Sequence, residues 1–192
     1  MILLVGVFAG LAAGLLRSWY GKRQYQIPEL RLIWLVLIAF IPQMLAFQLA
    51  ATRKFFPGNL AGAALISSQV LLLIFAWANR KHPAFWVLGL GLLLNLAVIS
   101  LNGGLMPISP ETLTRLVPNV PPAAWEVGSH SSSGKDIILL AADTRLGWLS
   151  DRLTLPPWIP YRVAFSPGDV LIAAGAFWLF WSFGAESGKS SG

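Results

Sequence analysis

Five apolar stretches, at residues 1 to 16, 32 to 50, 60 to 78, 84 to 101 and 169 to 184, take up nearly half of this chain and hold a single charged side chain, Asp169. Runs of that length approach the ~20 residues needed to cross ~30 Å of hydrocarbon at ~1.5 Å per residue. A water-soluble core has no place for five of them. The sequence is 56% apolar and 11% charged, with a mean hydropathy of +0.66, whereas soluble domains carry roughly a quarter charged residues. The expected fold is therefore an all-α integral membrane protein, a bundle of about five transmembrane helices. Its shorter spans must stand nearly upright or thin the bilayer locally.

The segments between the runs set the expected organisation. Residues 1–101 read as a four-span membrane bundle, 102–168 as one long extracytoplasmic loop or cap, 169–184 as the last transmembrane helix, and 185–192 as a disordered cytoplasmic tail. No basic region precedes the first run and no small-residue cleavage site follows it, so it is expected to be retained rather than removed as a signal. Within it, Gly6, Gly10 and Gly14 recur every fourth residue, a stripe that lets a second helix approach closely, inside the bundle or across a dimer.

A net charge of +6 suggests nucleic acid in a soluble protein, but here the cations cluster in short loops, where they set membrane orientation, and the five in the long loop count for little because long segments translocate regardless of charge. Arg17, Lys22, Arg23 and Arg31 follow the first run, Arg53 and Lys54 the second, Arg80 and Lys81 the third, and Lys189 lies in the tail. With five spans, the first and third loops and the tail share one side. Their excess of cations places the N-terminus outside, the C-terminus in the cytoplasm and the long loop outside the cell membrane. The expected partners are the lipid bilayer and a membrane-anchored peptide or partner membrane protein, with no nucleic acid.

Several chemistries drop out by composition. There is no cysteine and only two histidines, which removes thiolate nucleophiles and cysteine- or histidine-rich metal centres; no metal and no cofactor is expected. Walker, dinucleotide and His-Glu-x-x-His signatures are missing. The serines of Ser129–Ser133 sit in a flexible run near His130 with no strand-turn-helix frame to orient a nucleophile.

What remains is polar groups at membrane boundaries. Pro42 and Gln43 interrupt the second run, leaving a missing backbone bond and an amide that needs a partner. The fourth run stops at Asn102-Gly103-Gly104-Leu105-Met106-Pro107, a tight-turn sequence. Residues 136–149 carry apolar positions at roughly helical spacing and read as an interfacial helix lying on the bundle. Asp151 and Asp169 flank the last proline-rich segment, eighteen positions apart. Ser166-Pro167-Gly168-Asp169 has the form of a capping box with proline at the first helical position and an acid at the positive helix end, and Asp151 beside Arg152 has the form of a surface pair.

At Asn102–Pro107 and Ser166–Asp169 the chain resembles an uncharacterised bacterial family of small polytopic membrane proteins, with an Asn-Gly-Gly-x-Met-Pro turn and a Ser-x-Gly-Asp start to the last helix. That resemblance implies no activity. From Leu149 to Ala176 it also resembles, locally, the lipoprotein signal peptidases. These are membrane aspartic peptidases with two aspartates at the outer face, the second following a Phe-Asn-x-Ala motif.

Phe165 and Asp169 match that pattern and Asp151 lies at a similar upstream distance. Ser166 replaces its asparagine, the residues around Asp151 lack its Val-Val-Asp-Phe character, its Gly-Asn-x-x-Asp-Arg motif is missing, and it has four spans. The resemblance implies Asp151 and Asp169 as a catalytic pair. Carboxylates close together cannot both ionise, so one keeps a proton while the other activates water, with Asn102 as a candidate oxyanion donor.

Two functions follow as expectations. One is a membrane-embedded binding or assembly protein whose outer-face polar pocket is formed by Asn102, Gly103, Gly104, Ser166 and the two aspartates. The other is an aspartic membrane peptidase hydrolysing a membrane-anchored peptide. The Asn102 turn is expected to pack against the start of the last helix, since both are polar, glycine-containing boundaries on one side.

Overall fold

A computed structural model describes residues 2–48, 58–131 and 135–184. The expected cations Arg53 and Lys54, the centre of the serine run and the C-terminal tail lie outside the described residues. Four helices come first: α1 (Ile2–Tyr20), α2 (Trp34–Gln43), α3 (Gly58–Ala78) and α4 (Ala84–Leu101). A mixed segment follows with β1 (Met106–Ile108), α5 (Pro110–Leu116), β2 (Asp136–Ile138), β3 (Leu153–Thr154) and β4 (Ala164–Phe165), and α6 (Pro167–Ser182) closes the fold.

The helices form a row in which α6 packs against both α1 and α4, α4 also meets α3, and α3 meets α2. Small residues set these contacts. A Cβ added at Gly6 or Gly10 would stand 2.5 Å from the backbone oxygen of Ala173 or Phe177, and one at Gly14 2.5 Å from that of Phe180. The glycine stripe of α1 is thus used inside the bundle. Its register with α6 rises in step, so α1 and α6 run parallel. Gly91 abuts Gly168 and Ile172, and Gly175 abuts Leu88, so α4 runs the other way.

The same logic orients the rest. Gly62, near the start of α3, lies against Gly104 just past the end of α4. At the opposite end, the Asn79 side chain accepts from the Arg31 N–H and donates to the Arg31 carbonyl, both at 2.8 Å. Successive bundle helices therefore alternate in direction. The described residues of 102–166 crown one end, and Arg17, Lys22, Arg23, Arg31, Arg80 and Lys81 gather at the other.

Among the described residues, three helices are long and apolar enough to cross a membrane: Ile2–Tyr20, Leu60–Ala78 and Ala84–Leu101. The second apolar run gives a shorter helix because Pro42 lies within it, and the chain continues from α2 as a π-helical turn at Met44–Gln48. Such a turn is a known response to a broken hydrogen-bond ladder. The unmatched amide finds its partner, as Gln43 Nε2 donates to Ser68 Oγ at 2.5 Å. At 16 residues, α6 spans ~24 Å.

The fold is mostly helical but not all-α, which corrects the sequence expectation. β1 and β2 pair in parallel, Met106 opposite Asp136 and Ile108 opposite Ile138, while β3 and β4 pair antiparallel. Residues 136–149 are not an interfacial helix. They open as strand β2, turn, and end in a 3-10 turn at Gly147–Leu149. β-Branched Ile137 and Ile138 fit a pleated pair better than a helix, and Ile138 is buried with Ile108 and Leu113 in the crown's own core. Leu149 is buried with Leu65, Val98, Ile99 and Met106, fixing the crown to the bundle.

Candidate functional site

The two turn motifs that flank the crown become anchoring devices. At the end of α4, Gly103 takes a φ of +80°, and the Gly104 N–H donates to the Ile99 carbonyl at 2.9 Å, the closure of a Schellman motif that favours glycine at its left-handed position. Asn102 is buried. Its Nδ2 donates to the Val98 and Arg145 carbonyls, and its Oδ1 accepts from the Arg145 N–H. The two hydrogen bonds to Arg145 thus hold the crown's 141–149 turn down on α4.

At the start of α6 the expected capping box is present. Ser166 Oγ accepts from the Asp169 N–H at 3.0 Å, and Asp169 Oδ2 accepts from the Ser166 N–H at 3.1 Å. A residue that the sequence did not single out as part of the site completes it. Asn95, buried in the middle of α4, donates from Nδ2 to Asp169 Oδ1 at 2.8 Å and accepts from Ser166 Oγ at 2.8 Å. Both carboxylate oxygens of Asp169 therefore have donors, and the cap is latched across the helix pair. A polar residue in the middle of an apolar run was the signal that could have pointed to it.

The packing corrects the expected contact between the motifs. Gly104 lies against Gly62 of α3, whereas Gly168 lies against Gly91 and Asn95 of α4. Asn95 and Asn102 are seven positions apart, ~10 Å along the helix, so the two turns dock at different depths.

Asp151 occupies a different setting. It is only 1% exposed, its N–H donates to the Pro107 carbonyl at 3.1 Å, and its Oδ2 accepts from Lys135 Nζ at 3.2 Å. Lys135 Nζ also lies 3.3 Å from Asp136 Oδ1, and the strands bring these groups together, since Met106 of β1 hydrogen-bonds the Lys135 carbonyl. Asp151 Oδ1 has no hydrogen-bond partner among the described residues.

Burial pushes the Asp151 carboxyl up to about 7 against the pull of Lys135, with Asp136 and Asp169 adding to the rise. For Lys135, burial works against the ammonium, but Asp151, Asp136 and Asp169 outweigh it and hold its pKa above the ordinary lysine range. The apparent surface partner, Arg152, is exposed; the partner in contact is Lys135, sixteen residues upstream.

Beside Asp151 the crown has a polar cleft of about 370 Å³, whose lining includes Glu111, Thr112, Arg115, Trp148, Ser150 and Arg152. α5 supplies one wall. Its N-cap Ser109 accepts from the Thr112 N–H, with Pro110 at the first helical position. The segment leading to Asp151 supplies the other. Glu111 is held below the usual carboxylate range by its own backbone hydrogen bond and by Ser109, with a further contribution from Arg115, so the cleft presents two guanidinium groups and one carboxylate. No group of three or more histidine, aspartate or glutamate side chains able to hold a metal occurs among the described residues.

Residues 28–181 match the model of a "Family of unknown function (DUF5317)". No curated protein matches. No solved structure matches either.

Proposed function

The chain belongs to this family of unknown function, and we propose that within it the protein is a membrane-embedded binding protein whose ligand site is the polar cleft of the crown. The observation that carries the reading is the pairing of Arg115 and Arg152 in a cleft of about 370 Å³, within the size range of small-molecule sites. Guanidinium groups bind carboxylate and phosphate with bidentate geometry. One carboxylate against two guanidiniums leaves a net positive site, and the flanking hydroxyls and Trp148 suit a polar ligand with one flat or apolar face.

The membrane setting follows from the three long apolar helices. We extend it to five spans in the cell membrane, with the crown outside and the C-terminus cytoplasmic, because the cations of the loops after α1 and α3 gather at the end away from the crown. Binding of inorganic phosphate and of a sugar phosphate to the purified, detergent-solubilised protein tests the reading. Arg115→Gln and Arg152→Gln should each weaken the sugar phosphate at least several-fold. Unchanged binding in both, or no binding to the wild type, would refute it.

An aspartic peptidase with an Asp151/Asp169 dyad is the second reading. It is favoured by one observation, that the buried Asp151 Oδ1 has no hydrogen-bond partner among the described residues, which leaves an oxygen open to a water, as an aspartic mechanism requires. In that mechanism Asp169 would leave its cap and Lys135 would leave Asp151 before a water could lie between the carboxyls. Asp151→Asn and Asp169→Asn should then each abolish cleavage of a membrane-anchored peptide by the folded protein. Cleavage that survives either change excludes the dyad.

A further inference from the structure

At the end of the bundle away from the crown, a groove of about 540 Å³ runs between α3 and α4 on the outer face of the helix row. Its walls are apolar, including Val70, Ile74, Trp77, Gly89 and Leu93, and the one charged residue in its lining is Arg80. Gly89 opens it. A Cβ added there would meet only Ala76 Cβ, at 3.6 Å, so the missing side chain is not used for close helix packing as at Gly91 or Gly175.

The dimensions select an occupant. From Val70 to Ala78, where α3 ends, is eight residues, ~12 Å at ~1.5 Å per residue, and Arg80 lies in the turn beyond, so the groove covers close to half of the ~30 Å hydrocarbon core. The groove therefore runs from the bilayer interface to about its midplane, the reach of one acyl chain. Its mouth has interfacial chemistry. Trp77 and Trp86 are exposed there, their rings 6.2 Å apart, and tryptophan belts mark headgroup depth. Trp86 Nε1 donates to the Arg80 carbonyl at 3.0 Å. The Arg80 guanidinium lies 4.6 Å from the Trp77 ring centroid and donates to the Trp77 carbonyl, which fixes the cation over the groove mouth. Lys81, next in sequence, is also exposed.

We propose that this groove is a binding site for one anionic phospholipid, with an acyl chain lying along Gly89 between α3 and α4 and the phosphate held by Arg80 and Lys81. The proposal is independent of the polar cleft and requires only that the helices lie in a bilayer. Charge complementarity sets the preference for an anionic headgroup, since a cation near such a surface is worth roughly fivefold in affinity.

Native mass spectrometry of the full chain in detergent, titrated with phosphatidylglycerol, phosphatidylcholine and diacylglycerol of matched chains, tests it. The expected result is one retained phosphatidylglycerol per chain, several-fold preferred over phosphatidylcholine, with diacylglycerol weakest. Arg80→Gln should erase most of that preference, and Gly89→Leu, which fills the groove, should remove the retained lipid. Equal retention of all three lipids would overturn the proposal. So would wild-type retention and selectivity in both variants, each shown monodisperse with an unchanged melting temperature. If Gly89→Leu fails to fold, the exposed Arg80→Gln change decides the matter alone, an unaltered preference counting against the site.

Discussion

Replacing Lys135 by methionine tests whether the crown is held by a buried charge pair whose strength depends on pH. Asp151 is 1% exposed and lies 3.2 Å from Lys135 Nζ. Removing one partner of a fully buried pair costs ~3–5 kcal/mol because the other charge is left uncompensated. The Lys135 side chain is 45% exposed, so water replaces part of what the ammonium supplies, and the expected cost near pH 8 falls to ~2 kcal/mol. For a chain of this size that corresponds to a drop of roughly 4–8 °C in melting temperature.

The sign with pH follows from the direction of the Asp151 shift. Its folded pKa, about 7, lies above the ordinary 3.8, so the fold favours the protonated acid. That contribution is complete below pH 3.8 and is lost as pH rises through 7. Lys135 opposes the loss by stabilising the carboxylate. Without it Asp151 titrates still higher, so Lys135→Met should cost less at pH 5, where the contact with Asp136 is the main loss, and its full amount at pH 8. Adding Asp151→Asn to Lys135→Met should recover part of the deficit at pH 8, because the Asp151 charge is no longer stranded while Asp136 still lacks the Lys135 ammonium. Thermal melts in detergent at both pH values give the answer. A deficit equal at pH 5 and pH 8, or a double variant no better than Lys135→Met, would refute the reasoning.

Asn95→Leu should destabilise the protein by ~1–3 kcal/mol, since it strips a donor from Asp169 Oδ1 and an acceptor from Ser166 Oγ in a buried setting, and a denaturation midpoint checks it. Asp169→Asn should cost ~0.5–1 kcal/mol through the weakened cap, seen in the same melts. Gly104→Ala should be more damaging than Gly103→Ala: both glycines have positive φ, but only at Gly104 does a Cβ strike a neighbour, Gly62 Cα at 2.8 Å. Comparing folded yield and melting temperature of the two variants separates strain from clash. A reporter inserted at Ser132 should be external and one fused after Gly192 cytoplasmic, the reverse result overturning the proposed orientation.

Residue type reveals a local arrangement when the partner is close in sequence, and hides it when the partner is far away. The capping box at Ser166–Asp169 was readable because all its donors and acceptors lie within four residues. The helix-ending turn at Asn102–Gly104 was readable for the same reason, as was the need of Gln43 for a partner. Lys135 was not readable as the partner of Asp151, because strand pairing of β1 with β2 and the hydrogen bond from Asp151 to Pro107 bring them together across sixteen residues. The crown's strands escaped for a related reason. They are two or three residues long, too short for an alternating pattern to emerge, and residues 136–149 then imitate a helical spacing.

The apolar runs were legible as helices, yet their lengths alone did not decide which helices touch. That information resides in the positions of the small residues. Gly6, Gly10 and Gly14 fix α1 to α6, while Gly91 and Gly175 fix α4 to α6. Because α6 is the helix that both neighbours grip, its start is pinned at a set depth, where Asn95 meets the Ser166–Asp169 cap. Asp169 therefore has a structural duty that depends on the packing of three helices. Asp151 has no comparable constraint from the bundle: its carboxylate is held by Lys135 alone, and Oδ1 remains without a hydrogen bond among the described residues. Two aspartates that look alike as boundary residues thus differ in freedom. Asp169 is committed to the cap, whereas Asp151 keeps one carboxylate oxygen beside the cleft that has no hydrogen bond among the described residues.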